Sequence, residues 1–210
     1  LGPEGPHLYR VGDHYLLLIA EGGTDYGHMV TVARASNPRG PYEACPHNPV
    51  LTHRSRPTHV HAVGHADIVE GPDGDWFGVC HGIRPKSSFS FQVLGRETFA
   101  FPVSWDADGW PVLGENGMLP EHAITATLST AFADDFSDLA WPLPWNTLRN
   151  PDLTRYERGN GKLILHGAPD PITSHGRPSW LGIRQRDHRC SFEVECKIHC
   201  DGDGEAGLDR

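Results

Sequence analysis

Residues 4–21 read EGPHLYRVGDHYLLLIAE and predict a β-hairpin. Two strand-like runs, at 7–11 and 15–20, are separated by a turn at Gly12 and Asp13, a pair typical of a tight turn. About 60 residues further along the chain the same arrangement returns, because residues 65–80 read HADIVEGPDGDWFGVC with turn residues at 71–74. The repeated hairpin favours a fold built from short antiparallel strands.

Each hairpin is followed by a second one. Residues 29–34 lead through a turn at 36–40 to a further short strand, and residues 95–105 lead through a turn at 106–109 to residues 110–112. Two units of four short strands, with Gly and Asp in the turns, are typical of β-propeller blades. Two blades do not close a ring, and an open β-meander or sandwich is the alternative. We predict four-stranded antiparallel units over 1–120, with minimal helix.

Composition supports an all-β chain and disfavours two classes of partner. Of 210 residues, 24 are Gly and 18 are Pro, and six Trp are present. The net charge of −9 disfavours phosphate backbones and anionic membranes, and no apolar run approaches the roughly 20 residues of a membrane helix. We therefore expect neither nucleic acid nor membrane as a partner. The sequence indicates neither localisation nor oligomeric state.

The chain divides into three parts. We predict a partial β-propeller over 1–121, a linker over 122–133, and the first part of a β-sandwich over 134–210, with strands near 162–167 and 180–186. The chain begins without Met and ends directly after a strand-like run, so we expect a piece of a longer protein.

The cysteines favour a buried strand over a metal site. Five Cys are an odd number, which argues against a complete disulfide framework. Residues 190–200 read CSFEVECKIHC, in which every even position is apolar or Cys. This alternation predicts a half-buried strand whose Cys190, Cys196 and Cys200 face the core, in preference to a zinc site.

Glu4 is the first candidate for chemistry. It stands directly before Gly-Pro, at the mouth of a strand that opens a predicted blade. A carboxyl at such a strand entry can point into the central cavity of a propeller, where the electrostatic field and burial raise its pKa. From spacing alone, a solvated terminal Glu is the favoured interpretation.

Seven segments together resemble glycoside hydrolase family 43, most closely its β-xylosidase and α-L-arabinofuranosidase members, in order and at similar intervals. Residues 134–210 resemble the jelly-roll-like domain that follows the propeller in the β-xylosidase group. The segments are EGPHLY (4–9), AEGGTDYGH (20–28), TVAR (31–34), NPVLTHR (48–54), GHAD (64–67), LGRET (94–98) and WDADGWPV (105–112).

The resemblance implies the C-terminal part of a five-bladed β-propeller followed by a partial jelly-roll-like β-sandwich. It also implies an inverting hydrolase of terminal β-D-xylosyl or α-L-arabinofuranosyl units of hemicellulose oligosaccharides, with no required cofactor. Glu4 falls at the family's general acid, which must hold a proton near neutral pH. The family's general base and pKa-modulating Asp lie in earlier blades and have no match here, so we expect the chain alone to be inactive.

Three further residues acquire roles from the same resemblance. Arg96 matches an Arg that reaches sugar hydroxyls at the pocket floor, whereas the plain interpretation is a strand Arg paired with Glu97. Thr24 is a candidate for the pocket rim. His65 matches a His near the propeller axis that contacts a structural calcium directly or through water, and core packing is an equally favoured interpretation. The remaining histidines are taken as surface residues.

Two rival functions stay open. A non-catalytic carbohydrate-binding β-propeller/β-sandwich protein would use the same exposed aromatic residues. The intact motif around Glu4 favours the enzyme, because binding alone does not need an acid there. A purely structural repeat explains the strands but not the ordered motifs.

Overall fold

The strands between Glu4 and Leu113 form two sheets, each of four antiparallel strands. The computed structural model describes residues 2–87, 92–125, 131–200, 202, 204 and 206–207, with only the backbone of 124 and 125. In each sheet the strands follow one another in chain order. The first sheet holds β1 (Glu4–Val11), β2 (His14–Glu21), β3 (Met29–Ala35) and β4 (Glu43–Ala44). The second holds β5 (His61–Glu70), β6 (Trp76–Ile83), β7 (Arg96–Trp105) and β8 (Pro111–Leu113).

The four-stranded units and the all-β class are thereby confirmed. Helical structure in the described residues amounts to α1 (Glu121–Thr125) and one turn of 3₁₀ helix at Leu153–Arg155. No helix among these residues has both the length and the apolar character to cross a membrane.

The first hairpin shows why local sequence decides this architecture. Val11 faces His14 across a two-residue loop, and Gly12 adopts φ +57°. A positive φ at the first loop residue is what a type II′ turn requires, and glycine adopts it without steric cost. Along β2 the buried positions are Leu16, Leu18 and Ala20, the period of two that the sequence predicts.

The two sheets share one apolar core. Strand β5 packs against β2 and β3, so the faces of the two units are in contact. Full burial of each large aliphatic side chain contributes about 1.5–3 kcal/mol relative to exposure. The core residues drawn from both sheets include Leu16, Leu18, Val30, Val32, Val63, Ile68, Cys80, Phe101 and Leu113.

A buried histidine ties the connection between the sheets to the segment after β8. His53 is 1% exposed, and its Nε2 accepts a hydrogen bond of 2.9 Å from the backbone N–H of Leu119. Because a backbone N–H can only donate, the proton of the neutral ring lies on Nδ1, which donates to the carbonyl of Val60 at 2.9 Å. Burial lowers the pKa of His53 below its usual value. This corrects the expectation that His53 lies at the surface.

The C-terminal half contains two small sheets. Strand β9 (Trp145–Thr147) pairs with β12 (Leu181–Ile183), and β10 (Tyr156–Gly159) pairs with β11 (Lys162–Leu165), each antiparallel.

A buried ion pair holds this half together. The guanidinium of Arg158 donates two hydrogen bonds, of 2.7 and 2.8 Å, to the carboxylate of Asp134. The indole N–H of Trp145 donates a third, of 2.6 Å. These bonds hold the pKa of Asp134 well below its usual range. They join the beginning of this half to β10 and to β9.

The predicted strand over 190–200 is wrong. These residues form no strand, and Cys190, Cys196 and Cys200 are exposed. A strand needs a neighbour to bond its backbone N–H and C=O groups, and no strand of the described chain pairs with this segment. The strand predicted near 180–186 is shorter, at Leu181–Ile183.

The predicted linker over 122–133 overlaps α1 at its beginning. Its residues 126–130 lie outside the described residues.

We predict that His53 makes the protein less stable in mild acid. Its pKa is lowered on folding, so the unfolded chain binds the proton first as the pH falls. The stabilisation is complete above the unfolded pKa, about 6.5, and is lost as the pH falls towards the lower folded pKa. Urea unfolding at pH 7.5 and at pH 5 should show this difference.

His53→Gln keeps a side chain that can accept from Leu119 but does not titrate. It should lower stability at pH 7.5 and reduce the difference between the two pH values. His14→Gln, at an exposed position of the first hairpin, is the control and should leave that difference unchanged. An unaltered pH difference in His53→Gln would contradict the assignment.

Candidate functional site

The residues singled out from the sequence lie at one end of the two sheets. Glu4 begins β1 and pairs with Ala20 near the end of β2. Thr24 is exposed in the loop that follows β2. In the second sheet, His65 lies in the first half of β5, and Arg96 begins β7.

Glu4 and His65 meet across the two sheets. Oε1 of Glu4 lies 3.6 Å from Nδ1 of His65, and the side chains are 47% and 39% exposed. Gly5 makes this approach possible, because a Cβ at its position would lie 2.5 Å from Nε2 of His65. Its φ of +53° also favours glycine. The second residue of the Glu-Gly-Pro motif is therefore part of the site's construction.

Bulges in β5 shape the backbone on which His65 stands. The pairing of β5 with β6 shifts register between His61 and Gly64, and again between Gly64 and Asp67. Within this stretch Ala62 and His65 adopt φ of +51° and +52°, which is uncommon for residues other than glycine. Irregular pairing of this kind redirects side chains and is frequent beside functional sites.

A hydrogen-bonded contact joins β1 to β5 beyond the bulges. The hydroxyl of Tyr9 donates to the carboxylate of Asp67 and accepts from the backbone N–H of Ile68 at 3.1 Å. Nδ1 of His7 lies 3.7 Å from the same carboxylate. These contacts tie the strand of Glu4 to the strand of His65.

Two more histidines complete a cluster with His65. The ring centroids of His28 and His81 are 4.8 Å apart, and those of His65 and His81 are 5.6 Å apart. One ring nitrogen from each of the three side chains lies within 4.8 Å of the others. Gly64 leaves room for this arrangement, because a Cβ there would lie 2.6 Å from the ring of His28.

The imidazoles of His28 and His81 are held neutral. Nδ1 of His28 donates to the carbonyl of Ala62 at 3.2 Å, which leaves Nε2 with a lone pair. Burial lowers the pKa of His28. The pKa of His81 is lowered to about 4, first by burial and then by its neighbours His28 and Arg96. Within the described chain, no hydrogen-bond partner is found for Nε2 of His28 or for either ring nitrogen of His81.

The cluster does not fit the predicted calcium ion. Calcium takes six to eight oxygen ligands, whereas this site presents three imidazole nitrogens and the single carboxylate of Glu4. Imidazole nitrogens suit transition metals. We therefore assign no step of any reaction to calcium here.

Sequence reasoning missed His28 and His81. With 14 His in the chain, no spacing distinguishes these two. His28 directly precedes β3 and His81 lies on β6, so only the packing of the two sheets brings them together. The expectation that they lie at the surface is corrected, because His28 is 1% exposed and His81 is partly buried.

Arg96 is not paired in the way its plain interpretation requires. The carboxylate of Glu97 instead accepts two hydrogen bonds, of 2.9 and 2.8 Å, from Arg84. The Arg96 side chain is exposed, and its charge helps to lower the pKa of both His28 and His81. It therefore lies within electrostatic reach of the cluster. Its contact with a sugar, like that of Thr24, stays a prediction.

Comparison with known protein families identifies the first half of the chain. Residues 1–111 match the family model described as "Glycosyl hydrolases family 43". The chain belongs to glycosyl hydrolase family 43. Residues 133–208 match the "Beta xylosidase C-terminal Concanavalin A-like domain". The resemblance drawn from the ordered motifs is thus confirmed. The predicted fold class, part of a β-propeller followed by a β-sandwich, is confirmed as well.

Curated relatives of this family 43 chain carry two kinds of name. A non-reducing end α-L-arabinofuranosidase from Bacteroides ovatus is 43% identical over 192 residues, covering 87% of this chain and 36% of the relative. A β-xylosidase from Bacillus subtilis is 38% identical over 217 residues, covering 93% of this chain and 39% of the relative. The chain thus spans well under half the length of these relatives.

A solved structure agrees with the fold. The structure titled "Bacteroides ovatus Xyloglucan PUL GH43B" has a TM-score of 0.77 and 43% sequence identity. The match covers 88% of this chain and 38% of that structure.

We predict that Gly5→Ala disturbs the family 43 site more than an equally strained substitution elsewhere. The new methyl group would collide with the ring of His65 and force the two sheets apart at this end. Gly12→Ala is a matched control, because Gly12 has a similar φ of +57° and no atom within 4 Å of a built Cβ.

Backbone strain alone costs roughly 1–2 kcal/mol in both variants. Gly5→Ala should exceed Gly12→Ala by about 1–3 kcal/mol in unfolding free energy, measured in urea. Equal losses in the two variants would show that the contact with His65 has no energetic weight.

Proposed function

We propose that this chain supplies the general-acid side of an inverting glycosidase. The substrate class is oligosaccharides of hemicellulose with a terminal β-D-xylosyl or α-L-arabinofuranosyl unit. The observation that carries the proposal is the meeting of Glu4 and His65, 3.6 Å apart, at the shared end of two sheets of a family 43 chain. The arabinofuranosidase and β-xylosidase names of the relatives support the substrate class.

Glu4 performs one half of the reaction. An inverting glycosidase uses one carboxylic acid to protonate the leaving oxygen and one carboxylate to activate water on the opposite face of the sugar. The proton of Glu4 passes to the glycosidic oxygen as the bond from that oxygen to the anomeric carbon breaks. Water attacks that carbon and gives its proton to the base.

The base and the pKa-modulating Asp belong, in this proposal, to other blades of the propeller. No residue of this chain matches them in the family pattern. In inverting enzymes the two catalytic carboxyl groups lie about 6.5–9.5 Å apart, which leaves room for the water. The acid at the sheet ends therefore needs a facing carboxylate that the rest of the propeller supplies.

Neighbouring side chains bind the sugar and orient the carboxyl of Glu4. His65 lies beside the carboxyl of Glu4, 3.6 Å from its Oε1, and in this proposal helps to orient it. Arg96 offers a planar set of N–H donors that can hold two sugar hydroxyls. Because His28 and His81 are neutral at pH 7, Arg96 brings the permanent positive charge to this neighbourhood. Thr24 offers a hydroxyl at the rim.

Glu4→Gln in the full-length enzyme tests the assignment. The amide keeps the shape of the side chain but cannot transfer a proton, and general-acid help is worth about 10²–10⁴-fold. Natural oligosaccharides release a poor leaving group and should lose activity by about that factor. A dinitrophenyl glycoside releases a stable anion and should largely keep its rate. The measurement is the rate constant of Glu4→Gln on the natural oligosaccharide and on the dinitrophenyl glycoside, for the xyloside and for the arabinofuranoside.

Glu70→Gln is the matched control, at the far end of β5 from His65, and should leave both rates unchanged. Equal large losses on both substrates in Glu4→Gln would make Glu4 a base or a binding residue. Unchanged rates on both would make it a solvated surface residue. Sugar binding without hydrolysis by the wild-type enzyme would favour the non-catalytic alternative.

The 210-residue chain by itself should not turn over either aryl glycoside. It contains the proposed acid but no residue that matches the base. Its second sheet also exposes apolar side chains such as Val69 and Phe77, which other blades would cover. The assay compares this chain with the full-length enzyme at equal concentration. Normal turnover by the chain alone would place the base within these residues.

A further inference from the structure

The C-terminal half reaches back to the strand that carries Arg96. Directly after β12, Nη2 of Arg184 donates a hydrogen bond of 3.0 Å to the backbone carbonyl of Leu94. The same nitrogen donates a bond of 2.9 Å to the backbone carbonyl of Arg96. One cationic nitrogen thus holds two carbonyls of the segment in which β7 begins.

The conformation of that segment suits this contact. Gly95 stands between the two carbonyls with φ +70°, a region that favours glycine. The ladder between β6 and β7 begins at Arg96, opposite Ile83, so Leu94 and Gly95 precede it. Because the ladder does not yet hold these residues, the bonds from Arg184 constrain the entry into β7.

A second contact reinforces the first from the side of β6. Nη2 of Arg84 donates a bond of 2.9 Å to the backbone carbonyl of Arg186. The same guanidinium forms the two-bond pair with Glu97, the residue after Arg96. Residues 184–186 are therefore bonded to the beginning of β7, which carries Arg96, and to Arg84, the residue that follows β6.

We propose that Arg184 is a positioning residue for Arg96. It fixes the backbone from Leu94 to Arg96, and thereby the direction in which the guanidinium of Arg96 meets the sugar. This inference rests on the proposed function, because it takes Arg96 as a sugar-binding residue. It gives the C-terminal half a part in substrate binding through the main chain of β7.

Arg184→Met in the full-length enzyme is the first test. Loss of a binding contact that is the same in ground state and transition state raises KM and leaves kcat unchanged. We expect KM for the aryl glycoside to rise about tenfold, with kcat within about twofold, because small misplacements of a positioned group are costly.

Arg177→Met is the matched control. Arg177 also donates two bonds to backbone carbonyls, those of Asn150 and Pro151, but within the C-terminal half. It should leave KM unchanged, and thermal unfolding of both variants reports any general loss of stability. Arg184→Lys should restore part of the affinity, because both lost bonds come from a single nitrogen that an ammonium can replace.

A double-mutant cycle separates positioning from general structural support. If Arg184 acts through Arg96, then Arg184→Met should raise KM by less than twofold in an enzyme that already carries Arg96→Met. A tenfold rise in that background would overturn the inference. Equal KM values for Arg184→Met and Arg177→Met would overturn it as well.

Calorimetric titration with xylose and with arabinose distinguishes failure of this inference from failure of the proposed function. If the wild-type enzyme binds sugar but hydrolyses no glycoside, only the catalytic role of Glu4 is overturned. The double-mutant cycle of Arg184 and Arg96 is then measured on the dissociation constants. A wild-type enzyme that binds neither sugar overturns the role of Arg184 together with that of Arg96.

Discussion

The ring of His65 lies against the backbone of Gly5, where a side-chain Cβ would come within 2.5 Å of Nε2. This close approach allows the two sheets to meet at the end where the site is built. It brings the carboxylate of Glu4 to 3.6 Å from Nδ1 of His65. On β5 the bulges direct His65 towards the contact. On β1, Gly5 has a positive φ and leaves room for the ring of His65. A larger residue at position 5 would separate the proposed acid from its neighbour.

Burial determines the electrostatics around this contact. Packing between the sheets lowers the pKa of His28 and brings that of His81 to about 4, so these two imidazoles add no positive charge at neutral pH. Arg96 lies at the exposed beginning of β7 and presents a guanidinium, a planar set of N–H donors. Under the proposed function, these neutral rings and the guanidinium of Arg96 would suit an uncharged sugar, whose hydroxyls need donors and acceptors rather than counter-ions.

The two halves of the chain are stabilised differently but remain connected. The first half has an apolar core shared by its sheets, whereas the second depends on the buried pair of Asp134 and Arg158 and on small two-stranded sheets. Their connection includes charge-assisted bonds from Arg184 and Arg84 to backbone carbonyls. Such bonds fix the position of the main chain. Through them the second half of the chain constrains the backbone at the beginning of β7.

Local chemistry in the sequence was sufficient for the hairpins, because a turn such as Gly12-Asp13 and the period of two along β2 depend on residues that are neighbours in the chain. Ordered motifs were likewise sufficient for the family and for nominating Glu4 and Arg96. The cluster of His28, His65 and His81 was decided by the tertiary structure, since it comes from separate parts of two sheets. The alternation over 190–200 shows the converse. A period of two describes how a strand would divide its side chains, but a strand forms only where another strand bonds its backbone, and the described chain provides none there.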